Sequence, residues 1–178
     1  MGKTNIRKTL ILVALLVGLV GTASASIPKN QERTLADKVR HELLLLPYYN
    51  VFDNIEFTTK DQDTVVLTGQ VTWPVVKTDA EAAVRSIKGV EKIINNIEVL
   101  PLSRFDDSIR WATYRAIFSR PGFEKYAIQG VSPIRIIVKN GNVTLEGYVG
   151  SQLDKTMANI AARSVPGAFS VTDNLKIG

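Results

Sequence analysis

The stretch Val65-Val66-Leu67-Thr68-Gly69-Gln70-Val71 recurs 78 positions later as Val143-Thr144-Leu145-Glu146-Gly147-Tyr148-Val149. The same offset continues without a gap to the end of the chain, and residues 65–99 share 12 identities with residues 143–177. Val, Leu and Val stand at the first, third and seventh positions of both stretches, which is the spacing of a β-strand with one buried face. A repeat of this length indicates two copies of one supersecondary unit.

The residues around the repeated stretch predict the same elements in both copies. Each copy begins with a segment of helical periodicity, for which Thr34 is the N-cap in the first copy, and a proline (Pro47 or Pro121) ends it. A hairpin follows, and its turn in the second copy is Asn140-Gly141, a pair that favours two positive φ angles. The predicted elements are helices 35–46, 75–87, 108–119 and 152–165, and strands 54–59, 64–71, 92–99, 134–139, 142–149 and 169–177.

Four glycines occupy matching positions in the two copies. Gly69 and Gly147 lie within strands, where glycine indicates a bulge or the close approach of another element. Gly89 and Gly167 follow the second helix of each copy, and we expect them to be C′ residues that turn the chain out of that helix. All four are interpreted as structural positions.

These elements predict an α+β fold of two tandem small modules. Each module has the order α-β-β-α-β, with a three-stranded mixed sheet and two helices on one face. The first module spans 34–101, a linker spans 102–105 and the second module spans 106–178. A module of this size buries only about 60% of its unfolded surface, so each is expected to be marginally stable alone.

The N-terminus predicts export. Lys3, Arg7 and Lys8 precede an apolar run over residues 10–20, and Ala23-Ser24-Ala25 fits a small-residue cleavage site. This order is typical of a secretory signal peptide spanning residues 1–25, cleaved after Ala25, followed by a flexible N-terminus at 26–33. The apolar run is too short to span about 30 Å of hydrocarbon, although an uncleaved anchor is the alternative. The predicted location is the periplasm, and peripheral attachment to a membrane is left open.

Composition narrows the classes of function. The chain has 22 Lys and Arg against 17 Asp and Glu, but three of the bases lie in the predicted signal peptide. The remainder is nearly neutral, which disfavours a nucleic-acid partner. The chain has no cysteine, which excludes disulfides, thiol catalysis and a lipid-modified N-terminal cysteine.

Residues that could carry catalysis or bind a metal are few. His41 is the single histidine and lies off the apolar stripe of its helix, so a solvated surface position is favoured. Asp61 and Asp63 stand in a four-residue hairpin loop, where turn residues are commoner than a calcium site. Phosphate-loop and nucleophile-elbow motifs do not occur. We therefore predict a non-enzymatic protein with no catalytic residue, metal or cofactor.

The repeated motif is similar to the core of the BON domain family. The matching residues are Val65-x-Leu67-Thr68-Gly69-x-Val71 with Gly89-Val90 and Asn95-Asn96-Ile97, and Val143-Thr144-Leu145-x-Gly147-x-Val149 with Gly167 and Asn174-Leu175. The resemblance covers nearly all of the chain after the signal peptide. It implies a periplasmic role in osmotic stress or cell-envelope maintenance, with phospholipid binding as the activity. It implies no active site.

The two modules differ in charge and in the first helix. Residues 34–101 carry 7 bases and 10 acids, whereas residues 104–178 carry 10 bases and 6 acids. In the helix at 108–119, Ile109, Thr113 and Ile117, with Ala112 and Ala116, are expected to face the sheet. The residues predicted to contact a lipid or a partner are Arg110, Trp111, Tyr114, Arg115, Phe118 and Arg120.

Three interpretations of this aromatic and basic face remain open. An anionic phospholipid surface suits it, because aromatic rings and arginines favour the bilayer interface. The same face could instead pack on the first module, through Leu44 or Leu45, or on another subunit. The third interpretation is that the face is simply exposed to solvent. The alternative function is a protein-interaction or chaperone-like adaptor that binds envelope proteins through this face or a strand edge, without direct lipid contact.

Overall fold

The computed structural model describes residues 34–60, 63–127 and 131–178. The predicted signal peptide, the N-terminal segment 26–33 and Asp61 lie outside the described residues. Within these ranges, no helix is long and apolar enough to cross a membrane.

Thirteen helices and strands are formed by the described residues. In chain order they are α1 Leu35–Leu44, β1 Asn54–Lys60, β2 Thr64–Val71, α2 Pro74–Arg85, β3 Lys92–Asn95, β4 Glu98–Val99, α3 Arg104–Phe118, α4 Glu124–Ala127, β5 Ile134–Lys139, β6 Asn142–Val149, α5 Gln152–Arg163, β7 Ser170–Asp173 and β8 Lys176–Ile177. The order confirms an α+β fold of two repeated modules. The short helix α4 was not predicted.

The first module is a mixed sheet covered by two helices. β1 pairs antiparallel with β2, and β2 pairs parallel with β3 and β4. Val65, Leu67 and Val71 of β2 are fully buried, as their alternation predicted, and pack with residues of α1 and α2. One face of the sheet therefore carries the main hydrophobic cluster of this module.

The second module repeats this topology around its own core. β5 pairs antiparallel with β6, which pairs parallel with β7 and β8. Val143, Leu145 and Val149 are buried against α3 and α5. At the hairpin turn, Asn140 has a φ of 52° and Gly141 a φ of 76°, which confirms the predicted turn.

The closing strand of each module is interrupted, although one continuous strand was predicted. In the first module the side chain of Asn95 accepts a hydrogen bond from the backbone N–H of Ile97 over 3.2 Å, and Asp173 does the same for Leu175 over 3.1 Å. The side-chain acceptor turns the backbone between the two short strands. Ile97 and Leu175 thereby point into the cores, where both are buried.

The helix ends partly follow the predictions. Thr34 caps α1, and its hydroxyl accepts from the N–H of Asp37 over 3.2 Å in a capping box. α3 begins at Arg104 with Ser103 as its cap, four residues earlier than predicted. Residues 104 and 105 of the predicted linker therefore form the first turn of a helix.

Two of the glycine predictions are confirmed and two are corrected. A Cβ at Gly69 would lie 2.0 Å from the carbonyl oxygen of Asn54 in β1, and one at Gly147 would lie 1.9 Å from that of Pro133, just before β5. The backbone of another segment therefore approaches both glycines closely. Gly89 and Gly167 are not C′ residues, because the helices end at Arg85 and Arg163. Both instead occupy the third position of a following β-turn, with φ of 101° and 89°, as a type II turn requires.

The segment between α1 and β1 joins the two modules. The carbonyl oxygen of Val51 accepts from the N–H of Ile136 in β5 over 2.8 Å. The Arg135 guanidinium donates to the carbonyl oxygen of Asn50 over 3.0 Å and stacks on the Tyr49 ring at 4.5 Å. Phe52 is buried within the core of the second module, so the two cores are not wholly separate.

Candidate functional site

Six residues of α3 are exposed, and they include Phe105 and the acidic Asp107. The other four lie at helical spacing and form what we name the α3 stripe: Arg104, Ser108, Trp111 and Arg115. Steps of four, three and four residues place them in one row along the helix. Trp111 is 52% exposed and has a basic residue on either side of it in this row. The row therefore combines one large aromatic ring with two cations.

The structure contradicts part of the predicted contact set. Arg110 is 4% exposed and donates to the carbonyl oxygen of Val138 over 2.7 Å as well as to Asp107. Phe118 is also buried, within the core of the second module. The buried arc of α3 is wider than a single sheet contact predicts, because the helix packs against both β5 and α5.

The remaining predicted residues are exposed to different degrees. Trp111 and Arg115 are exposed, whereas Tyr114 and Arg120 are partly buried. The Arg120 Nε atom is enclosed and has no hydrogen-bond partner among the described residues. The stripe gains Arg104, which belonged to the predicted linker.

Aromatic rings connect α3 to the first module. The Phe52 ring meets Trp111 edge-on at 4.9 Å between centroids and Tyr114 at 6.3 Å. Leu44 and Leu45, the residues expected to make such a contact, remain exposed. The aromatic face is therefore partly used for packing between the modules, through Phe52, and about half of the Trp111 surface stays accessible.

A cleft lies beside Trp111 at the seam between the modules. It measures about 530 Å³, and the exposed apolar side chains along it are Trp73, Leu102 and Trp111. Trp73 is 56% exposed and Leu102 is 90% exposed. The sequence did not single out these two residues, because only the folded chain brings the end of β2 and the linker beside α3.

The buried carboxylates of the two modules serve backbone groups. Asp53 accepts from the N–H of Thr72 over 2.6 Å, and Asp106 accepts from the N–H groups of Asn140 and Gly141 over 2.9 and 2.7 Å. These bonds use the carboxylate oxygens that a general base or a metal would need. Their geometry is that of structural capping groups.

Local contacts shift the pKa values of several ionisable groups outside the α3 stripe. A hydrogen bond from Tyr126 lowers the pKa of the Asp154 carboxyl. At the seam, a hydrogen bond from the Lys139 ammonium lowers the pKa of the Glu98 carboxyl. Burial raises the pKa of the Tyr49 phenol, which lies in the joining segment. Each of these contacts ties one element to another.

His41 is exposed, as expected for a surface histidine. Among residues 34–60, 63–127 and 131–178, no group of three or more His, Cys, Asp or Glu side chains could hold a metal ion.

The fold and the repeated motif find their counterpart in a comparison with protein families. The BON domain model matches twice, at residues 31–101 and 123–178. The chain belongs to the BON domain family. The whole of α3, Arg104–Phe118, lies between the two matched segments.

Structural comparison returns domains of low similarity. One is the C-terminal domain of CdsD, described as the structural protein of the type III secretion system of Chlamydia trachomatis, with 12% identity and a TM-score of 0.32, covering 84% of this chain and all of that one. A second CdsD structure has 12% identity and a TM-score of 0.30, covering 81% of this chain and 93% of its own. No curated protein sequence matches the chain.

Membership of the family supports a coarse functional class. BON domains are non-enzymatic binding domains of the bacterial envelope, associated with membranes, phospholipids or protein partners. The tandem arrangement predicted from the repeat is confirmed by the two matched segments.

Proposed function

We propose that this protein is a periplasmic, non-enzymatic BON protein of envelope stress and maintenance that associates reversibly with anionic phospholipid surfaces. The observation that carries the proposal is the α3 stripe of the second module, with Trp111 between Arg104 and Arg115. Trp73 and Leu102 extend the apolar part of this contact across the seam cleft.

The chemistry of the stripe suits the headgroup layer of a membrane. Trp favours the interface between headgroups and acyl chains, and arginines beside it meet the lipid phosphates. The second module also carries the excess of bases, 10 against 6 acids over residues 104–178. Long-range attraction to an anionic surface therefore acts on the same module that holds the stripe.

The expected affinity is modest. Each of the two exposed arginines contributes about 1 kcal/mol near an anionic leaflet. Partial burial of Trp73, Leu102 and Trp111 adds on the order of 5 kcal/mol, at about 25 cal/mol per Å² of apolar area. A total of about 7 kcal/mol corresponds to a dissociation constant of about 10 µM, which is reversible binding.

Co-sedimentation with vesicles tests the proposal. Vesicles containing an anionic phospholipid should pellet the protein at low salt, and the bound fraction should fall as salt screens the arginines. Trp111→Ala should weaken binding by about tenfold or more, because it removes the largest inserted side chain. Tyr148→Ala is the matched control, since Tyr148 is equally exposed, at 54%, but lies away from α3.

Two results would end the proposal. One is the absence of sedimentation with anionic vesicles at low salt. The other is an equal loss of vesicle binding in Trp111→Ala and Tyr148→Ala, which would show that any exposed aromatic residue contributes and that the α3 stripe is not the binding site.

Export is part of the same proposal. We infer that residues 1–25 are removed as a signal peptide, which delivers the second module to an envelope membrane. Mass spectrometry of the protein recovered from the periplasm should give a chain that begins at Ser26. A chain that retains Met1 would contradict cleavage.

A further inference from the structure

The outer edges of the two hairpins, on the sides away from the central strands, are equivalent in register. Phe57 of β1 pairs with Leu67, and Ile136 of β5 pairs with Leu145, the corresponding leucine of the repeat. In β5 the N–H of Ile136 points outward, because it donates to the carbonyl oxygen of Val51. The chain itself therefore covers this position of the second module.

Within residues 34–60, 63–127 and 131–178, no segment pairs with the same edge at Phe57 and Thr59 of the first module. The N–H of Ile55 points outward to the Tyr49 hydroxyl at 3.2 Å, so alternate residues Phe57 and Thr59 also direct their N–H and C=O groups outward. Among the described residues, no backbone or side-chain partner meets these outward groups of Phe57 and Thr59. In the part of the chain that the structure describes, the first module thus has no counterpart of the cover that Val51 provides for the second.

This open edge forms one wall of a groove of about 900 Å³. Six consecutive residues of β1, 54–59, line the groove over about 20 Å of strand. α1 lines the second wall with Arg40, Leu43 and Leu44, and the second module lines the rest with Pro133, Arg135 and Tyr148 among others. Backbone pairing and apolar side-chain contacts are both available along this length.

The walls of the groove restrict which kind of ligand can reach the β1 edge. A second copy of this chain would bring its own α1 and second module with its β1 edge, so two edges cannot meet inside the grooves. A single extended segment has no such walls and can enter. Among the cations that line the groove, Arg40 pairs with Asp37 and Arg135 is buried against Tyr49. Lys176 is exposed and has no ion-pair partner among the described residues.

We propose that this groove binds an extended peptide segment of another protein, which adds a strand to the β1 edge. The segment pairs its backbone with the outward groups of Phe57 and Thr59. Alternate side chains of the segment are apolar, where they meet Phe57 and Leu44, and an acidic residue meets Lys176. This peptide site is separate from the α3 stripe and does not depend on membrane binding.

Selection from a phage-displayed library of nine-residue peptides tests the proposal. The target is the full exported chain, residues 26–178, and the counter-target is its Thr59→Pro variant. Proline removes the outward N–H of residue 59, whereas the pairing of β1 with β2 uses the backbone groups on the other side of the strand. Thr59→Ala, which keeps the N–H, is the matched control. Selected peptides should alternate apolar residues and carry an acidic one.

Fluorescence polarisation then measures the affinity of a selected peptide for each variant. Binding should weaken by about tenfold or more in Thr59→Pro and change less than about twofold in Thr59→Ala, since one backbone hydrogen bond and its geometry are lost. Lys176→Glu provides a second variant that leaves the strand intact, and it should also weaken an acidic peptide. Amide shifts in NMR spectra should change at Phe57 and Thr59.

Several results would overturn the proposal. They are no enrichment over the Thr59→Pro counter-target, peptide shifts confined to Ile136 or to the cleft beside Trp111, and a dimer by light scattering that Thr59→Pro dissolves. Vesicle binding should be unchanged by a saturating concentration of the peptide, because the groove and the α3 stripe use different residues. Failure of peptide binding can therefore be told apart from failure of membrane binding.

Discussion

At Gly147 an ideal Cβ atom would lie 1.9 Å from the carbonyl oxygen of Pro133, and φ is 105°. Gly147→Ala therefore combines a backbone clash with a strained φ, and should lower the free energy of unfolding by about 3 kcal/mol or more. Gly89→Ala is the control, since its φ is 101° but nothing lies within 4 Å of the added atom. It should cost only about 1–2 kcal/mol. Urea unfolding of both variants measures the difference, and equal losses would contradict the close approach.

The sequence predicts the structural role of a glycine well when only one kind of backbone geometry explains a glycine at that place. Gly69 and Gly147 were predicted to mark a bulge or a close approach, because a strand interior otherwise disfavours glycine. Gly89 and Gly167 were misplaced, since glycine serves both as a helix C′ residue and in type II turns, and the two readings differ by only a few positions.

At the scale of elements, Asp106 fastens the start of α3 to the β5–β6 turn through the N–H groups of Asn140 and Gly141. Asp106→Ala leaves both donors without their acceptor and should lower the free energy of unfolding by about 2–4 kcal/mol. Hydrogen exchange at Asn140 and Gly141 should accelerate. Ser108→Ala, an exposed change one turn away, should cost less than about 0.5 kcal/mol. Unchanged exchange at the turn would refute this role of Asp106.

The periodicity of α3 predicted which residues face the sheet, and Ile109 and Ile117 are indeed buried. It could not predict the width of the buried arc, because that width depends on which other elements pack on the helix. Arg110 and Phe118 were misassigned for this reason. Residues from distant parts of the chain, such as Trp73, enter the candidate site only through the fold.

At the scale of the whole molecule, Phe52 of the first module is buried among rings of the second. Phe52→Ala should lower the free energy of unfolding by about 3–5 kcal/mol, because it opens a cavity at the seam. Trp111 fluorescence should shift to the red as its neighbour is lost. Leu45→Ala, at an exposed position of the same module, should leave both properties nearly unchanged. A Phe52→Ala protein of full stability would show that the seam is not packed.

The ion pair between Glu98 and Lys139 also crosses the seam, with 2.6 Å between the carboxylate and ammonium groups. Because the pKa of Glu98 is lowered in the folded chain, its contribution is present above the unfolded pKa and is lost as pH falls through the folded value. The pair is partly exposed, so Lys139→Gln should cost at most about 1 kcal/mol at pH 7. The difference should shrink as pH falls through the folded pKa of Glu98 and vanish well below it. A cost that persists unchanged in acid would contradict the pairing.

Trp73 and Trp111 are the two tryptophans of the chain, so Trp73→Phe leaves Trp111 as a single fluorescent reporter on the α3 stripe. The measurement is its emission during titration with anionic vesicles whose acyl chains are brominated near the headgroup. Insertion of the stripe predicts quenching at low salt that is reversed by about 0.5 M salt and is absent with zwitterionic vesicles. Protein that pellets with the vesicles while Trp111 emission stays unchanged would contradict membrane association through α3.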